Sequence, residues 1–307
     1  MSQALLSKLN TTNIDEISSS RNEPDWLKDY RQSSLSIYDG LAIELSPLYN
    51  KYTDAKKMDP EKVSLSTSTT ATVPDFLKKR LSELEKEICI IQIGTNIHKI
   101  NLPDDLKSKG LVISSISDAI KNNPELVRKA LEASKSEEDK FTALNNAAFN
   151  SGIFIHIPRN LVLDKPVYFL TCLSDDDHSV ISRNVIFADE SSKASIVQEL
   201  YSPKTEAQQA YLELLNTNLA ANAQLDITTL QMMDQHAVTF TTRRTDLAQD
   251  SKVNWYSGLF GSMLSRYKIE YFLNGSGASS NDSEVIFGNN EQSFYIQTDV
   301  NHESPST

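Results

Sequence analysis

The densest group of potential metal ligands in this sequence is the segment SDDDHS, in which three aspartates precede a histidine. Carboxylate oxygens from Asp175, Asp176 and Asp177 are of the type that hard cations such as Ca²⁺ prefer. Consecutive side chains point apart, however, and neither a glycine nor a distal glutamate completes a calcium loop. The segment that ends with His178 therefore favours a solvated turn over a metal site.

The histidines predict no catalytic centre, because they are scattered along the chain. They are His98, His156, His178, His236 and His302. His156 lies between apolar residues in IFIHIP, a setting that favours packing or hydrogen bonding within a strand over a role as a base. His236 lies at a predicted turn. No GxSxG, HExxH or credible Ser-His-Asp order is present, so the sequence predicts no catalytic residue.

The remaining motifs predict no cofactor-binding or metal-binding residue. Cys89 and Cys172 are far apart and have no CxxC or histidine-rich neighbours. This spacing favours two buried free thiols over a disulfide framework or a zinc site. The segment NGSGASS at 274–280 lacks the GK[ST] ending of a phosphate loop, so it predicts a turn.

The charge balance disfavours a nucleic-acid partner. The chain has 41 acidic and 30 basic residues, whereas phosphate binding needs a local excess of Lys and Arg. The basic runs at 78–80 and 243–244 are typical of a solvated helix face or strand edge. The N-terminus does not resemble a secretory signal, and no apolar segment has the length of a spanning helix. We therefore expect a cytoplasmic protein with no membrane contact.

The N-terminal part of the sequence predicts helices. Residues 22–40 predict one helix that buries an apolar face, with Asn22 as its cap and Gly40 as its left-handed stop. The polar segment at 64–74 is typical of a flexible connector. A buried strand is predicted at 88–93, and later a helix headed by a capping box at Ser136.

After Gly152 the pattern changes to strands for the rest of the chain. About ten short alternating or apolar runs follow one another with turn residues between them, and the closing FYIQTDVNH alternates in the same way. The candidate folds are a sandwich, a barrel and a β-solenoid, and the length of the run favours the solenoid. The predicted domains are a helical segment with a linker (1–75), a mixed α/β region (76–150) and a β-helix core (151–307).

Several phrases of the sequence resemble the SufB/SufD family of iron–sulfur cluster assembly scaffold proteins. One is KFTALNNAAFNSGIFIHIPRNLVLDKPVYF at 140–169. The second is VNWYSGLFGSMLSRYKIEYFLNGSGASS at 253–280, with the glycine phrases of the family. The third is the closing TDVNHESPST, with His302, Pro305 and Thr307. NEPDWLKDYRQSSL is similar to the helix that opens many members.

The resemblance implies a mainly β protein with a helical N-terminal region and a right-handed parallel β-helix core. Members of the family continue past the histidine-proline-threonine segment, so it also implies a chain truncated at its C-terminal end. The ATPase contacts and the cluster-building residues of the family are expected in the missing part. The resemblance therefore assigns no site residue here.

The resemblance also implies a noncatalytic scaffold subunit, with a SufB-like subunit, a SufC-like ATPase and a cysteine desulfurase system as partners. No cofactor is expected on this chain alone, because the iron–sulfur cluster is assembled in the complex. A SufD-like branch is favoured, since Phe149 stands where SufB-like sequences typically have tryptophan. The alternatives are a SufB-like cluster-building subunit and a carbohydrate-active β-helix protein.

Overall fold

The computed structural model describes residues 9–42, 57–59, 61, 63–65, 72–174 and 179–307. Its helices are α1 (Thr11–Ser20), α2 (Asp25–Gly40), α3 (Lys78–Glu83), α4 (Asp104–Ser108), α5 (Ile116–Asn122), α6 (Pro124–Ala133) and α7 (Lys140–Ala148), with a 3-10 turn at Asp75–Leu77 before α3. Its strands are β1 (Ile88–Ile93), β2 (Asn96–Asn101), β3 (Val112–Ser115), β4 (Ile153–Ile157), β5 (Val167–Cys172), β6 (Ser179–Ala188), β7 (Lys193–Tyr201), β8 (Gln209–Leu219), β9 (Gln224–Met232), β10 (Ala237–Leu247), β11 (Lys252–Leu259), β12 (Leu264–Leu273), β13 (Ser279–Ile286) and β14 (Ser293–His302).

The described strands form two stacked sheets that the chain visits in turn. The first sheet has the order β13-β11-β9-β7-β5-β1-β2, and the second has the order β14-β12-β10-β8-β6-β4-β3. All neighbouring strands are parallel except the antiparallel pairs β1–β2 and β3–β4 at the N-terminal end. From β5 to β14 the chain therefore makes five two-strand coils of a parallel β-solenoid.

A stacked row of tight turns keeps the coils in register. Asn160, Ser191, Asn222, Asp250 and Gly277 have a positive φ, and they follow one another at intervals of 27 to 31 residues. Each donates its backbone N–H to a carbonyl in the next turn of the row at 2.9–3.0 Å. Asn, Asp and Gly tolerate this left-handed conformation. Each coil therefore has one residue with a left-handed backbone at the same place in the turn. The type of that residue differs from coil to coil.

Helices cover the outer face of the second sheet. Every residue of α7 is buried, and Asp139 caps the helix by accepting a hydrogen bond from the Thr142 amide at 2.8 Å. The Phe141 ring stacks on Phe240 of β10 with the ring centroids 4.7 Å apart. Leu27 of α2 belongs to the same apolar cluster. The apolar cluster between these helices and the second sheet is larger than the one that covers the first sheet.

A smaller layer covers the outer face of the first sheet near its N-terminal end. Leu77 and Leu84, on either side of α3, pack in one cluster with Leu170 of β5. Arg80 of α3 donates to the carboxylate of Glu199 on β7, with Nε 3.0 Å from Oε2. The short helix is therefore fixed by both an apolar contact and an ion pair.

The predicted fold class is confirmed, because the chain is mostly β and its strands form a parallel solenoid with helices at the N-terminal end. The strand at 88–93 and the strands predicted after Gly152 are all present. The divisions at residues 75 and 150 stay predictions. Residues 66–71 of the predicted connector lie outside the described residues. In the described part, no helix is both long and apolar enough to span a membrane.

Helix α2 ends at Gly40 as predicted, but the predicted start and the predicted roles of Asn22 and Gly40 were wrong. The helix begins at Asp25 after Pro24, and Asn22 has a left-handed φ of 50° instead of capping it. At the other end, Gly40 does not have a positive φ. Lys140 of α7 donates to the carbonyls of Tyr38 and Leu41 at 3.0 and 2.9 Å, so a side chain from another helix satisfies this terminus.

Candidate functional site inside the solenoid

Polar side chains form a cluster in the interior of the solenoid. On β7, Gln198 points inward between Ile196 and Leu200, which belong to two different apolar clusters. The same inward column carries polar residues on neighbouring strands. We call this group the interior cluster; its members are Asn184, Gln198, Tyr211, Glu213, Thr229, Arg243, Ser257 and Tyr267, all buried.

Glu213 on β8 is the centre of the interior cluster. Its Oε1 atom accepts hydrogen bonds from Asn184 Nδ2 at 2.7 Å, Gln198 Nε2 at 2.5 Å and the Tyr211 hydroxyl at 3.1 Å. These donors come from strands β6, β7 and β8, so both sheets position the carboxyl group. Its Oε2 atom is buried and has no hydrogen-bond partner among the described residues.

The orientation of Asn184 is fixed by its neighbours. Its Oδ1 atom accepts from the Ile153 amide and from the Ser182 hydroxyl, both at 2.9 Å. Because the oxygen is held by two donors, the NH₂ group must face Glu213.

A second chain of hydrogen bonds fixes Gln198. The Trp255 indole N–H donates to the Thr229 hydroxyl at 3.2 Å, and that hydroxyl donates to Gln198 Oε1 at 2.9 Å. The Gln198 amide then presents its N–H groups to Glu213. Residues of β11, β9 and β7 thus act together on one carboxyl group, which a change in any of them would disturb.

Arg243 on β10 lies fully buried in the same interior. Its NH1 atom donates to the Ser257 hydroxyl at 3.0 Å, and its guanidinium lies over the rings of Trp255 and Tyr267 at 4.6 and 5.0 Å. Its Nε and NH2 atoms have no hydrogen-bond partner in the described part of the chain. Buried donors of this kind are usually satisfied by ordered water or a small polar ligand.

Burial governs the protonation of the cluster. It raises the pKa of the Glu213 carboxyl, and the positive charge of Arg243 and the three hydrogen bonds oppose that rise. Burial also raises the pKa values of Tyr211 and Tyr267. The carboxyl group is therefore shifted toward its neutral form in apolar surroundings.

Acidic residues continue the polar interior into the next coil. The Tyr271 hydroxyl donates to Asp282 Oδ2 at 3.1 Å. Asp282 pairs with Trp255 and Glu284 pairs with Ser257 in the β11–β13 register. Burial raises the pKa values of both Asp282 and Glu284. The interior thus offers donors and acceptors to water or small polar molecules over several coils.

The described residues contain no group of three His, Cys, Asp or Glu side chains that could hold a metal ion. Cys89 and Cys172 are both buried free thiols, as predicted. The Cys172 thiol donates to the Leu173 carbonyl at 3.1 Å, and burial raises the pKa of the Cys89 thiol. The expectation that the chain alone binds no cofactor stays a prediction.

The structure does not bring together the four histidines that it describes. His156 bonds to Asp189, with Nε2 2.8 Å from Oδ2, which agrees with the predicted hydrogen bonding from a strand. His236 contacts Asp234 at a turn, and His302 contacts the Thr307 hydroxyl. The segment at 175–178 lies outside the described residues.

The glycine-containing segment is a turn, as predicted. It joins β12 to β13, and a Cβ on Gly275 would lie 2.1 Å from the Gln249 amide nitrogen of the preceding coil. Gly277 has a φ of 76°. The glycines therefore allow close stacking of coils and a left-handed turn.

Sequence reasoning missed the interior cluster. Arg243 was predicted on a solvated helix face or strand edge, yet its side chain is fully buried. The available signal was the alternation Thr239, Thr241, Arg243 and Thr245 within an apolar strand. A period of two places these residues on one face, and the burial of that face depends on the second sheet.

Two family models match the chain. "SUF system FeS cluster assembly, SufBD core domain" matches residues 171–307, and "SufBD protein N-terminal region" matches residues 46–169. The chain is 24% identical over 311 residues to the iron-sulfur cluster assembly SufBD family protein of Staphylococcus aureus strain USA300. It is 22% identical over 310 residues to the one from Staphylococcus epidermidis strain ATCC 12228. Each alignment covers 96% of this chain and 66% of the relative, so the chain spans about two thirds of their length.

Proposed function

Because the chain belongs to the SufBD family, we propose that it is a SufD-like scaffold subunit of a SufBCD-type complex that assembles iron–sulfur clusters. In this role it catalyses no reaction by itself. A SufC-like ATPase hydrolyses ATP, a cysteine desulfurase system supplies sulfur, and a SufB-like subunit pairs with this chain. The cluster is the cargo of the complex, which works in the cytoplasm.

The observation that carries this proposal is the match of family models to both the N-terminal region and the core. The parallel solenoid supports it physically. Each coil hydrogen-bonds to the next along two sheets, so the structure resists bending while its ends and faces remain available for partners. A stiff platform of this kind suits a subunit that positions other proteins.

Two residues support a SufD-like over a SufB-like role. Phe149 stands where SufB-like sequences typically have tryptophan, and its ring is fully buried with the Arg31 guanidinium 3.7 Å from the ring centroid. Cys172 lies fully buried at the end of β5, so it is not placed to receive sulfur from a partner without local opening. The SufB-like role remains the alternative.

Affinity purification tests the scaffold role. The tagged chain is co-expressed with SufB-like and SufC-like subunits from the same genome, and the purified material is assayed for both proteins and for ATP hydrolysis. We expect both subunits to copurify, with ATPase activity that disappears when the SufC-like subunit is omitted. Failure to retain either subunit contradicts the proposal, and activity on acidic polysaccharides would instead favour the carbohydrate-active alternative.

A cysteine substitution tests whether the chain has a SufD-like or a SufB-like role. We expect Cys172→Ser to support cluster assembly as well as the unchanged protein, since the thiol is buried and bonded to a backbone carbonyl. The measurement is iron–sulfur enzyme activity in cells that depend on the gene. Cys89→Ser is the matched control for loss of a buried thiol. Loss of assembly only with Cys172→Ser would support the SufB-like role.

A further inference from the structure

The outer face of the first sheet changes character from its earlier to its later coils. The earlier part is covered by α3, whereas the later part exposes large apolar side chains. We call these the apolar strip; its members are Leu230, Met232, Tyr256, Phe260, Val285 and Phe287. Five of them are substantially exposed: Met232 37%, Tyr256 43%, Phe260 43%, Val285 63% and Phe287 70%. Parallel sheets are normally covered on both faces.

Strand register makes the strip continuous across coils. Leu230 pairs with Gly258, and Gly258 pairs with Val285. The Phe260 ring folds over this column, because a Cβ on Gly258 would lie 2.7 Å from the ring and 3.1 Å from Leu230. Phe260 follows Leu259, which pairs with Gln231, so Phe260 lies beside Met232 of the preceding coil. The strip thus runs across the strands, along the solenoid axis.

The protein shows how a segment with a short helix at its centre packs on this type of face. On the earlier coils, Leu77 and Leu84 are buried against the same outer face. Arg80, between them in sequence, reaches Glu199, which occupies the same register column as Leu230. The outer face of the first sheet therefore already binds a segment that combines apolar side chains with a basic residue.

Grooves flank the strip on both sides of the turn at 234–236. One, of about 520 Å³, is lined mainly by Phe76, Tyr201 and Met232, and the Phe76 ring lies 6.4 Å from the Tyr201 ring. The other, of about 700 Å³, includes Phe260 and Met263. Flexible methionines beside aromatic rings are typical of surfaces that receive apolar side chains.

The charges at the border of the strip are mostly acidic. Glu206, Asp234 and Glu291 line the turns beside it, whereas Lys204 and His236 are the basic residues in the same grooves, and His236 contacts Asp234. An occupant with basic residues along its flanks therefore complements this border. The net charge of −11 adds to the attraction.

We propose that the apolar strip docks an amphipathic α-helix of a protein partner, with an apolar stripe against the strip and basic residues along its edges. A helix suits the strip better than a strand, because the backbone groups of β9 and β11 are already paired on both sides. Coils repeat at about 4.8 Å, close to the helix pitch of about 5.4 Å. Apolar residues at i, i+4 and i+7 therefore fall over successive coils. The inference stands independently of the proposed cluster-assembly role.

A synthetic peptide tests the helix. The probe is a labelled helical peptide of roughly four turns, with Leu at i, i+3, i+4 and i+7 and Lys elsewhere. A scrambled peptide of the same composition and a Leu/Glu helix are the controls. We expect fluorescence anisotropy to show binding of the Leu/Lys helix at least about tenfold tighter than either control.

Substitutions locate the binding. Phe260→Asp is expected to weaken binding of the Leu/Lys helix by about tenfold or more, because a charge would be buried against leucine. Val162→Asp is the matched control, since Val162 is 56% exposed and bridges to Lys193, away from the strip. Tyr256→Asp provides a second variant if circular dichroism shows that Phe260→Asp does not fold.

Two outcomes overturn the proposal. Equal binding of the helical and scrambled peptides, or no loss with either strip variant, would show that charge alone drives the association. A dimer in sedimentation velocity that Phe260→Asp dissociates, together with no peptide binding, would show that a second copy of this chain covers the strip.

Discussion

Two buried arginines occupy very different surroundings in this protein. Arg31, on helix α2, uses Nε and NH2 for a bidentate pair with Glu23, both bonds at 2.8 Å, and NH1 for the Ala147 carbonyl at 3.1 Å. It also lies over the Phe149 ring. Arg243, inside the solenoid, has one hydrogen bond to a described residue, Ser257, and two nitrogen atoms without a partner among the described residues. Both side chains are fully buried.

The difference separates a structural ion pair from a polar site. Arg31 pairs with the complementary charge of Glu23 at short range and donates to a carbonyl of α7, so removal of either charged partner leaves a buried charge uncompensated. Arg243 shares the interior with Glu213, whose pKa is raised by burial. Protonation of Glu213 can therefore offset the loss of the positive charge of Arg243.

The largest effect should come from breaking the ion pair. Arg31→Met leaves Glu23, whose side chain is 3% exposed, without its bidentate partner. We expect a loss of about 3–5 kcal/mol in the free energy of unfolding at pH 7, measured by chemical denaturation. The double variant Arg31→Met with Glu23→Gln should recover part of that loss. A single-variant loss of less than about 1 kcal/mol would show that the pair behaves as an exposed one.

The sequence predicts the solenoid better than it predicts the outer helices. Strands β4 to β14 could be predicted because alternation and turn residues are local signals. Helix α1 was not predicted, and Asn22 and Gly40 were given the wrong roles at the ends of α2. The C-terminal end of α2 depends on Lys140, a residue 100 positions after Gly40. No local pattern contains that contact.

The interior cluster was beyond local reasoning for a similar reason. Glu213 collects donors from three strands, and one of those donors, Gln198, is oriented through Thr229 and Trp255. The sequence of one strand does not show whether a polar residue faces the interior or the solvent. That depends on where the second sheet packs. The turn repeat was missed as well, because the left-handed positions are filled by Asn, Ser, Asp and Gly in turn.

A smaller effect is expected inside the solenoid. Arg243→Met keeps an apolar contact with Trp255 and Tyr267 while it removes two buried donors that lack protein partners. Since Glu213 can take up a proton, we expect a change of about 1 kcal/mol or less at pH 7, in either direction. Chemical denaturation beside Arg31→Met measures it. Equal losses in the two variants would remove the distinction between the two arginines.

The test of the interior that depends on pH comes from Glu213→Gln. Burial raises the pKa of this carboxyl above 4.5, its ordinary value, so the folded protein holds the proton more tightly than the unfolded chain. That stabilisation is complete below the unfolded pKa and is lost as pH rises through the folded pKa.

Glutamine does not titrate, so the stability of the unchanged protein should fall relative to Glu213→Gln as pH increases above about 4.5, until the folded protein has also lost the proton. Each pKa unit corresponds to about 1.4 kcal/mol, so the divergence of the two stability curves measures the shift directly. In an Arg243→Met background the divergence should grow, because the positive charge that opposes the rise is gone. Parallel curves across this range would mean that the charge of Arg243 and the three hydrogen bonds offset the effect of burial in full.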